Sequence, residues 1–328
     1  MNDNTPRQPV DLPASVAAAD FEPPMVLAVP NVSEGRDPEI IARLREACAQ
    51  PRIRVVDVHS DPDHDRTVFT LVGPPLEIQD ALVELAGACI DLIDLRRHRG
   101  VHPRVGALDV VPIVALTPDD EALAEEVALM VADRIGNELM LPVFLYGSLV
   151  ADPHRNRPHH FRNGGVDALA EAMEEGRLHP DAGPERLHPT AGAVLVGMRP
   201  PLIAWNVELP DASLAVARAI ADRIRESGGG HPGLRALGLY LPERGIAQVS
   251  MNLEDYRVTS PARAVAAVRR EAERLGVAVG SSELVGMVPK AALRGTSPAA
   301  LGLERFTPAQ VLEARCPDLR RPDPPFYR

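Results

Sequence analysis

The chain has 328 residues and a net charge of −11, with 35 Lys and Arg against 46 Asp and Glu, a balance that argues against general nucleic-acid binding, which rests on neutralising phosphates. Apolar residues make up 45% and charged residues 25%, the proportions of a globular chain with core enough for about two domains, and no apolar run approaches the ~20 residues that span a bilayer. The start MNDNTPRQPV lacks the basic and apolar stretches of a signal peptide, and Cys48, Cys89 and Cys316 are far apart with no CxxC, which argues against a disulfide framework or zinc finger and makes the reducing cytoplasm the expected compartment.

Residues 1–24 contain several prolines and show no period, so they read as a disordered tail. Residues 26–32 (VLAVPNV) read as a strand, and the spacing of Ile40, Ile41, Leu44 and Cys48 predicts a helix over 38–49. Two β-rich runs follow, 53–59 and 66–73, joined across Asp61-Pro62-Asp63. Pro74-Pro75 opens a second helix carrying Ile78, Leu82, Leu85 and Cys89 on one face. Residues 105–116 predict a strand in which Pro112 suggests an edge or bulged position. A long acidic helix at 118–137, a strand at 142–146, a helix at 164–177 and a strand at 191–198 complete the first half.

The second half repeats the opening order. A strand at 201–208 leads to a helix at 212–227 that ends in Gly228-Gly229-Gly230. Strands at 234–241 and 245–253 form a hairpin through Pro242-Glu243-Arg244, followed by a helix at 260–275 and a strand near 277–285. The fold class is therefore α+β: two ferredoxin-like (βαββαβ) subdomains, at 25–197 and 198–302, with 303–328 as a C-terminal tail. Helices on one side of each sheet leave the other side open, to be solvated, paired or used as a ligand groove. The row Gln248, Ser250, Asn252 is consistent with either a solvated face or such a groove.

Nine of the ten histidines lie between residues 59 and 188, which concentrates groups able to move protons near neutral pH in the first half. Residues 94–104 (DLRRHRGVHPR) put four arginines and two histidines into an acidic chain. This island suits a small anion such as a carboxylate, or is an exposed helix end whose arginines complement the dipole. His102, between Gly100 and Pro103, lies where a loop enters a strand, a common position for catalytic side chains. The cluster DVHSDPDHD (57–65) holds metal-ligand residue types, but its spacing matches no zinc or calcium site, and no metal is expected.

The runs VPNVSEGRD (29–37), DVHSDPDHDRTVFTLVGPP (57–75), LIDLRRHRGVHPRVGALDVVP (92–112), GPERLHPTAG (183–192) and AQVSMNLEDY (247–256) resemble the formiminotransferase domain of the formiminotransferase-cyclodeaminase family. The resemblance runs in order from about residue 26 to about 295. It implies transfer of a formimidoyl group from N-formimidoyl-L-glutamate to tetrahydrofolate, in histidine degradation and one-carbon metabolism. It also implies a groove or tunnel between the subdomains that holds the folate, with tetrahydrofolate as co-substrate. The chain stops at 328, so the cyclodeaminase activity is expected to be absent.

Carried over by motif, the catalytic histidine matches His102, and Asn31 belongs to the same site. The folate-binding stretch matches Gly183-Pro184-Glu185-Arg186-Leu187-His188-Pro189-Thr190-Ala191-Gly192. The supporting aspartate of the animal enzymes falls at His59, a departure that leaves Asp57 or Asp109 as the alternative orienting carboxylate. Arg99 and Arg104 are the candidates for the substrate carboxylates. The alternatives are another formimidoyl or formyl amino acid as donor, or a folate-binding module without turnover. The expected partners are small molecules only, with no membrane or nucleic acid, and the expected assembly is a homodimer.

Overall fold

A computed structural model describes residues 24–152, 154–317 and 319. Apart from Pro24, the tail expected at 1–24 lies outside the described residues. The first half comprises β1 (Val26–Ala28), β2 (Asn31–Val32), α1 (Pro38–Cys48), β3 (Arg54–Asp61), β4 (Arg66–Gly73), α2 (Pro75–Leu92), β5 (Leu108–Val114), α3 (Glu121–Glu138), β6 (Val143–Gly147), α4 (Pro158–Arg162), α5 (Gly165–Glu174) and β7 (Val194–Arg199). The second comprises β8 (Ile203–Leu209), α6 (Leu214–Ile224), β9 (Leu234–Leu241), β10 (Ile246–Leu253), α7 (Pro261–Arg274), β11 (Ser282–Val285) and α8 (Leu312–Arg315). Helix starts follow local chemistry: Asp37 accepts from the amides of Glu39 and Ile40 at 2.9 and 3.2 Å, with Pro38 in the first turn of α1.

The protein is mixed α+β with two sheets, one of seven strands and one of four. In the first, β1 and β2 are two pieces of one line lying between β4 and β5, and β3 flanks β4. Beyond β5, the sheet continues through β7 and β6, both paired in parallel. The second runs β11-β8-β10-β9, antiparallel throughout. Helices α1, α2 and α3 bury Leu44, Leu82, Leu85, Val131 and Ile135 against one face of the first sheet, and α6 and α7 do the same for the second around Trp205, Val249 and Met251.

Two expectations are corrected. Of the edge or bulged position read for Pro112, the edge is excluded: β5 has β1 and β2 on one side and β7 on the other. It is tolerated because it stands opposite the break between β1 and β2. Val29 N–H donates to the Pro112 carbonyl at 3.0 Å, and the Val29 carbonyl, which proline cannot serve, accepts from Asn31 Nδ2 at 2.7 Å. Nor is the second face of the first sheet simply open. Helices α4 and α5 seal Phe144, Tyr146 and Leu195 at one end, and Leu312, Cys316 and Leu319 cover Leu27, Val56 and Val114 at the other. The tail read from residue 303 thus begins as packed structure, because Leu312 and Cys316 supply apolar surface to an otherwise bare sheet; residues 318 and 320–328 lie outside the described residues.

Between these two covers the face carries polar side chains, and polar side chains of the second sheet meet them there. Arg244, from the β9–β10 turn, reaches Asp61 at 2.9 Å and Asp63 at 3.1 Å. His64 Nε2 meets Gln248 Oε1 at 2.9 Å, and His59 meets Glu283 at 3.3 Å.

Candidate active site

Asp109 is the residue around which the site is built. Along the β2–β5 ladder, Asn31 pairs with Val110 and Val32 with Leu108, so Asp109 is the extra residue of a β-bulge. The bulge lets Leu108 and Val111 enter the helix-side core while Asp109, fully buried, meets two arginines; re-aiming a side chain is what a bulge does. Asp109 Oδ2 accepts from Arg66 Nη1 at 2.7 Å and from Arg162 Nη2, and Oδ1 accepts from Val105 N–H at 2.8 Å. Burial opposes its ionisation, but Arg162 and Arg66 outweigh burial and hold its pKa below the usual carboxylate value. Two cations on one carboxylate leave the cluster with a surplus positive charge.

Arg66 also ties in Asn31, donating from Nε to Oδ1 at 3.0 Å. The same Asn31 amide is held by Val29, so the break in the β1–β2 line fixes the guanidinium.

His102 lies beside this cluster, half-buried. Its Nδ1 is 2.7 Å from the Pro103 carbonyl and 3.2 Å from Arg66 Nη1. A carbonyl only accepts and a guanidinium only donates, so the shorter contact selects the Nδ1–H tautomer and leaves Nε2 with a free lone pair. Burial first, then Arg66, Arg162 and His64, push the His102 pKa well below its ordinary value. The ring is neutral at physiological pH, as a base must be.

The loop carrying His102 is stitched to the β3–β4 turn. His98 Nε2–H donates to the Asp65 carbonyl at 2.8 Å while its Nδ1 accepts from Gly100 N–H at 3.2 Å, and Val101 N–H reaches the Asp63 carbonyl at 3.1 Å. Gly100 is required here, since a Cβ would lie 2.1 Å from the His64 carbonyl oxygen.

Of the island's arginines, Arg96 and Arg97 pair with Asp94. The guanidinium groups of Arg99 and Arg104 donate only to carbonyls of their own loop among the described residues, while the Arg99 backbone N–H reaches Asp65 Oδ2 at 3.4 Å; both guanidinium groups are thereby left available to an anion. In the segment 183–192, Thr190 and Ala191 accept from Leu95 and Ala107 amides at 2.9 Å each, next to the loop carrying His102. Gly183 packs against Gly136 and Leu141, and among the described residues no hydrogen bond of 183–189 reaches Arg66, Asp109 or His102. The DVHSDPDHD run does not assemble three metal-ligating side chains, and no group of three does so among the described residues.

His59 faces Glu283, not His102. Burial works against its charge, but Glu283, Asp57 and Asp61 outweigh burial and raise its pKa; in return Glu283, opposed by burial but bound by His59, Asn206 and Arg244, is held at about 2. A raised histidine pKa stabilises the fold below the ordinary histidine value, and that stability is lost as pH rises through the raised value. A depressed Glu283 contributes above the ordinary glutamate value and loses its contribution as pH falls toward about 2. Urea unfolding of the wild type is therefore expected to show stability falling as pH rises from the ordinary histidine value through the raised one, with that slope absent in His59→Gln. Equal slopes in the two proteins would rule out the pair as its source.

Sequence reasoning did not single out Arg66; it placed His64 only in the DVHSDPDHD cluster and Gln248 only in a polar row, without pairing the two. Arg66 opens a strand after an aspartate-rich turn, with nothing local to indicate that it reaches Asp109. Gln248, fully buried, has its partner 184 positions away.

A family profile described as "Formiminotransferase domain, N-terminal subdomain" matches residues 25–199, and one described as "Formiminotransferase domain" matches 204–299. The chain is 38% identical over 291 residues to the glutamate formimidoyltransferase of Streptococcus pyogenes serotype M1, covering 88% of this chain and 97% of that protein. Against the Thermoplasma acidophilum glutamate formimidoyltransferase, identity is 37% over 294 residues, covering 89% and 97%. The rat formimidoyltransferase-cyclodeaminase is 38% identical over 279 residues, which are 82% of this chain and 51% of the rat protein.

Proposed function

The chain belongs to the formiminotransferase family, and from that premise we propose that it is a glutamate formimidoyltransferase, moving the formimidoyl group of N-formimidoyl-L-glutamate to tetrahydrofolate. The observation that carries the reading is the His102 imidazole, neutral, with Nε2 free beside the surplus charge of Arg66, Asp109 and Arg162.

The chemistry follows from that ring. The folate amine attacks the formimidoyl carbon and a carbon–nitrogen bond forms. The proton released from the attacking nitrogen passes to His102 Nε2. The same proton goes to the glutamate nitrogen as its bond to the carbon breaks, so one base serves both steps. Holding the two substrates at contact distance supplies much of the remaining acceleration. Asp109 with Arg66 and Asn31 act as the supporting group, the role sequence matching had given to the position of His59.

Arg99 and Arg104 are read as the holders of the glutamate carboxylates. Arg104→Ala and Arg99→Ala are each expected to raise the KM for the donor about tenfold, the weight of one charge-assisted hydrogen bond. KM values at wild type in both variants would remove that role. We read 183–192 as part of the folate site, which the seating of Thr190 and Ala191 against the His102 loop supports. The order β11-β8-β10-β9, and the matching order β5, β1 with β2, β4, β3, support two ferredoxin-like subdomains. Three buried cysteines, none of them in a disulfide, support a reducing, cytoplasmic setting, and a homodimer is the assembly we expect.

The test is incubation with tetrahydrofolate and N-formimidoyl-L-glutamate, watching for the 5-formimidoyl product. Formimidoylglycine and formylglutamate run in parallel decide the donor. Binding of folate without product would make the chain a binding module.

A further inference from the structure

The turn between β3 and β4 has a role that the proposed chemistry leaves unassigned. Its side toward the first sheet is bonded to the His102 loop: the Asp63 carbonyl holds Val101 at 3.1 Å and the Asp65 carbonyl holds His98 at 2.8 Å. Its other side is bonded to the second sheet. Asp63 Oδ1 accepts from Glu243 N–H at 2.8 Å, Arg244 reaches Asp61 and Asp63, and His64 reaches Gln248. His64 is the one side chain of this turn that faces both ways. Its Nε2 donates across to Gln248 Oε1 at 2.9 Å, and its ring lies 5.9 Å from that of His102 at an interplanar angle of 35°. His64 and Gln248 are 6% and 0% exposed, so solvent does not compete for the bond.

Resting on the reading of His102 as acid and base, we propose that His64, anchored by Gln248, is a positioning residue that sets the His102 ring, so that docking of the second sheet is felt at the reacting nitrogen. Asp61 fixes the turn from within, accepting from His64 N–H at 2.8 Å. Gly100 keeps the His102 loop in contact with the His64 backbone. A misplacement of the base by about 1 Å is enough to slow turnover severely, and a second sheet that has not docked leaves His64 without its anchor.

Gln248→Met keeps the side-chain length and removes the acceptor; Gln248→Glu restores an oxygen at that place. The expected result for Gln248→Met is a kcat lower by about tenfold or more with both KM values little changed, and recovery of most of that loss in Gln248→Glu. Imidazole ¹⁵N spectra without substrate should show His102 as a single tautomer with bare Nε2 in the wild type, and averaged between tautomers in Gln248→Met. His64→Asn, read by the same two measurements, serves if Gln248→Met does not fold. A wild-type kcat with an unaveraged His102 in the acceptor-free variant overturns the proposal, as does a Gln248→Glu protein no faster than Gln248→Met. Failure of the wild type to make product would defeat the assigned reaction instead, and the spectra would still decide the positioning.

Discussion

His102→Ala is expected to lower kcat by about 10²–10⁴-fold while the protein stays folded. The size follows from asking one group to take a proton from the attacking amine and give it to the leaving amine; without it both transfers fall to water. The fold should survive because the ring's shortest hydrogen bond is to its own neighbour, Pro103. Arg66 keeps Asp109 and Asn31 without it. Circular dichroism and the thermal midpoint check the fold, and single-turnover formation of the folate product checks the step. A variant that transfers at the wild-type rate would make the base assignment wrong. The wild-type pH profile carries the same claim. Because burial, Arg66, Arg162 and His64 depress the His102 pKa, kcat/KM should hold its plateau well below the ordinary histidine value before an acid limb appears. An acid limb at the ordinary value would mean that another group is titrating.

The readable parts of this molecule are those set by local pattern. Strands at 66–73 and 234–241 emerge with the limits read for them, and the second helix begins at Pro75, within the Pro74-Pro75 start signal. The position of His102 between Gly100 and Pro103 marks it as a loop residue at a strand entrance. The supporting groups are different in kind. Asp109 turns toward Arg66 only because β5 bulges against β2, and a bulge is a property of two strands in register. Arg66, Arg162 and Asp109 come from β4, α4 and β5, separated by 43 and 53 positions. Pro112 is read correctly as a residue that cannot complete a ladder; of the edge or bulged position read for it, the edge is excluded, since the gap it needs lies in its partner. The row Gln248, Ser250, Asn252 divides for the same reason: Gln248 is buried on His64 while Asn252 stays exposed, and only the docked first sheet makes them differ.

Asp109→Ala is expected to cost about 3–5 kcal/mol of stability, the range for removing one partner of a buried ionic cluster. The reason is what remains. Arg66 and Arg162 have side chains only 13% and 14% exposed, and without the carboxylate two guanidinium groups face one another with little water to screen them. The amide of Val105 also loses its acceptor, which loosens the approach of the His102 loop to β5. Urea unfolding measures the loss, and an unchanged midpoint would show that the arginines find other partners. The double variant Asp109→Ala/Arg162→Met separates repulsion from packing. Removing one of the two stranded cations should recover a substantial part of the stability, because coupled neighbours are not additive, whereas simple loss of contacts predicts that the second change adds to the first. Activity should not recover with stability in that double variant. Arg66 would then sit beside His102 with no counter-charge, raising the cost of the imidazolium through which the proton must pass, so a stable protein that still turns over slowly is the outcome that ties Asp109 to the reaction as well as to the fold.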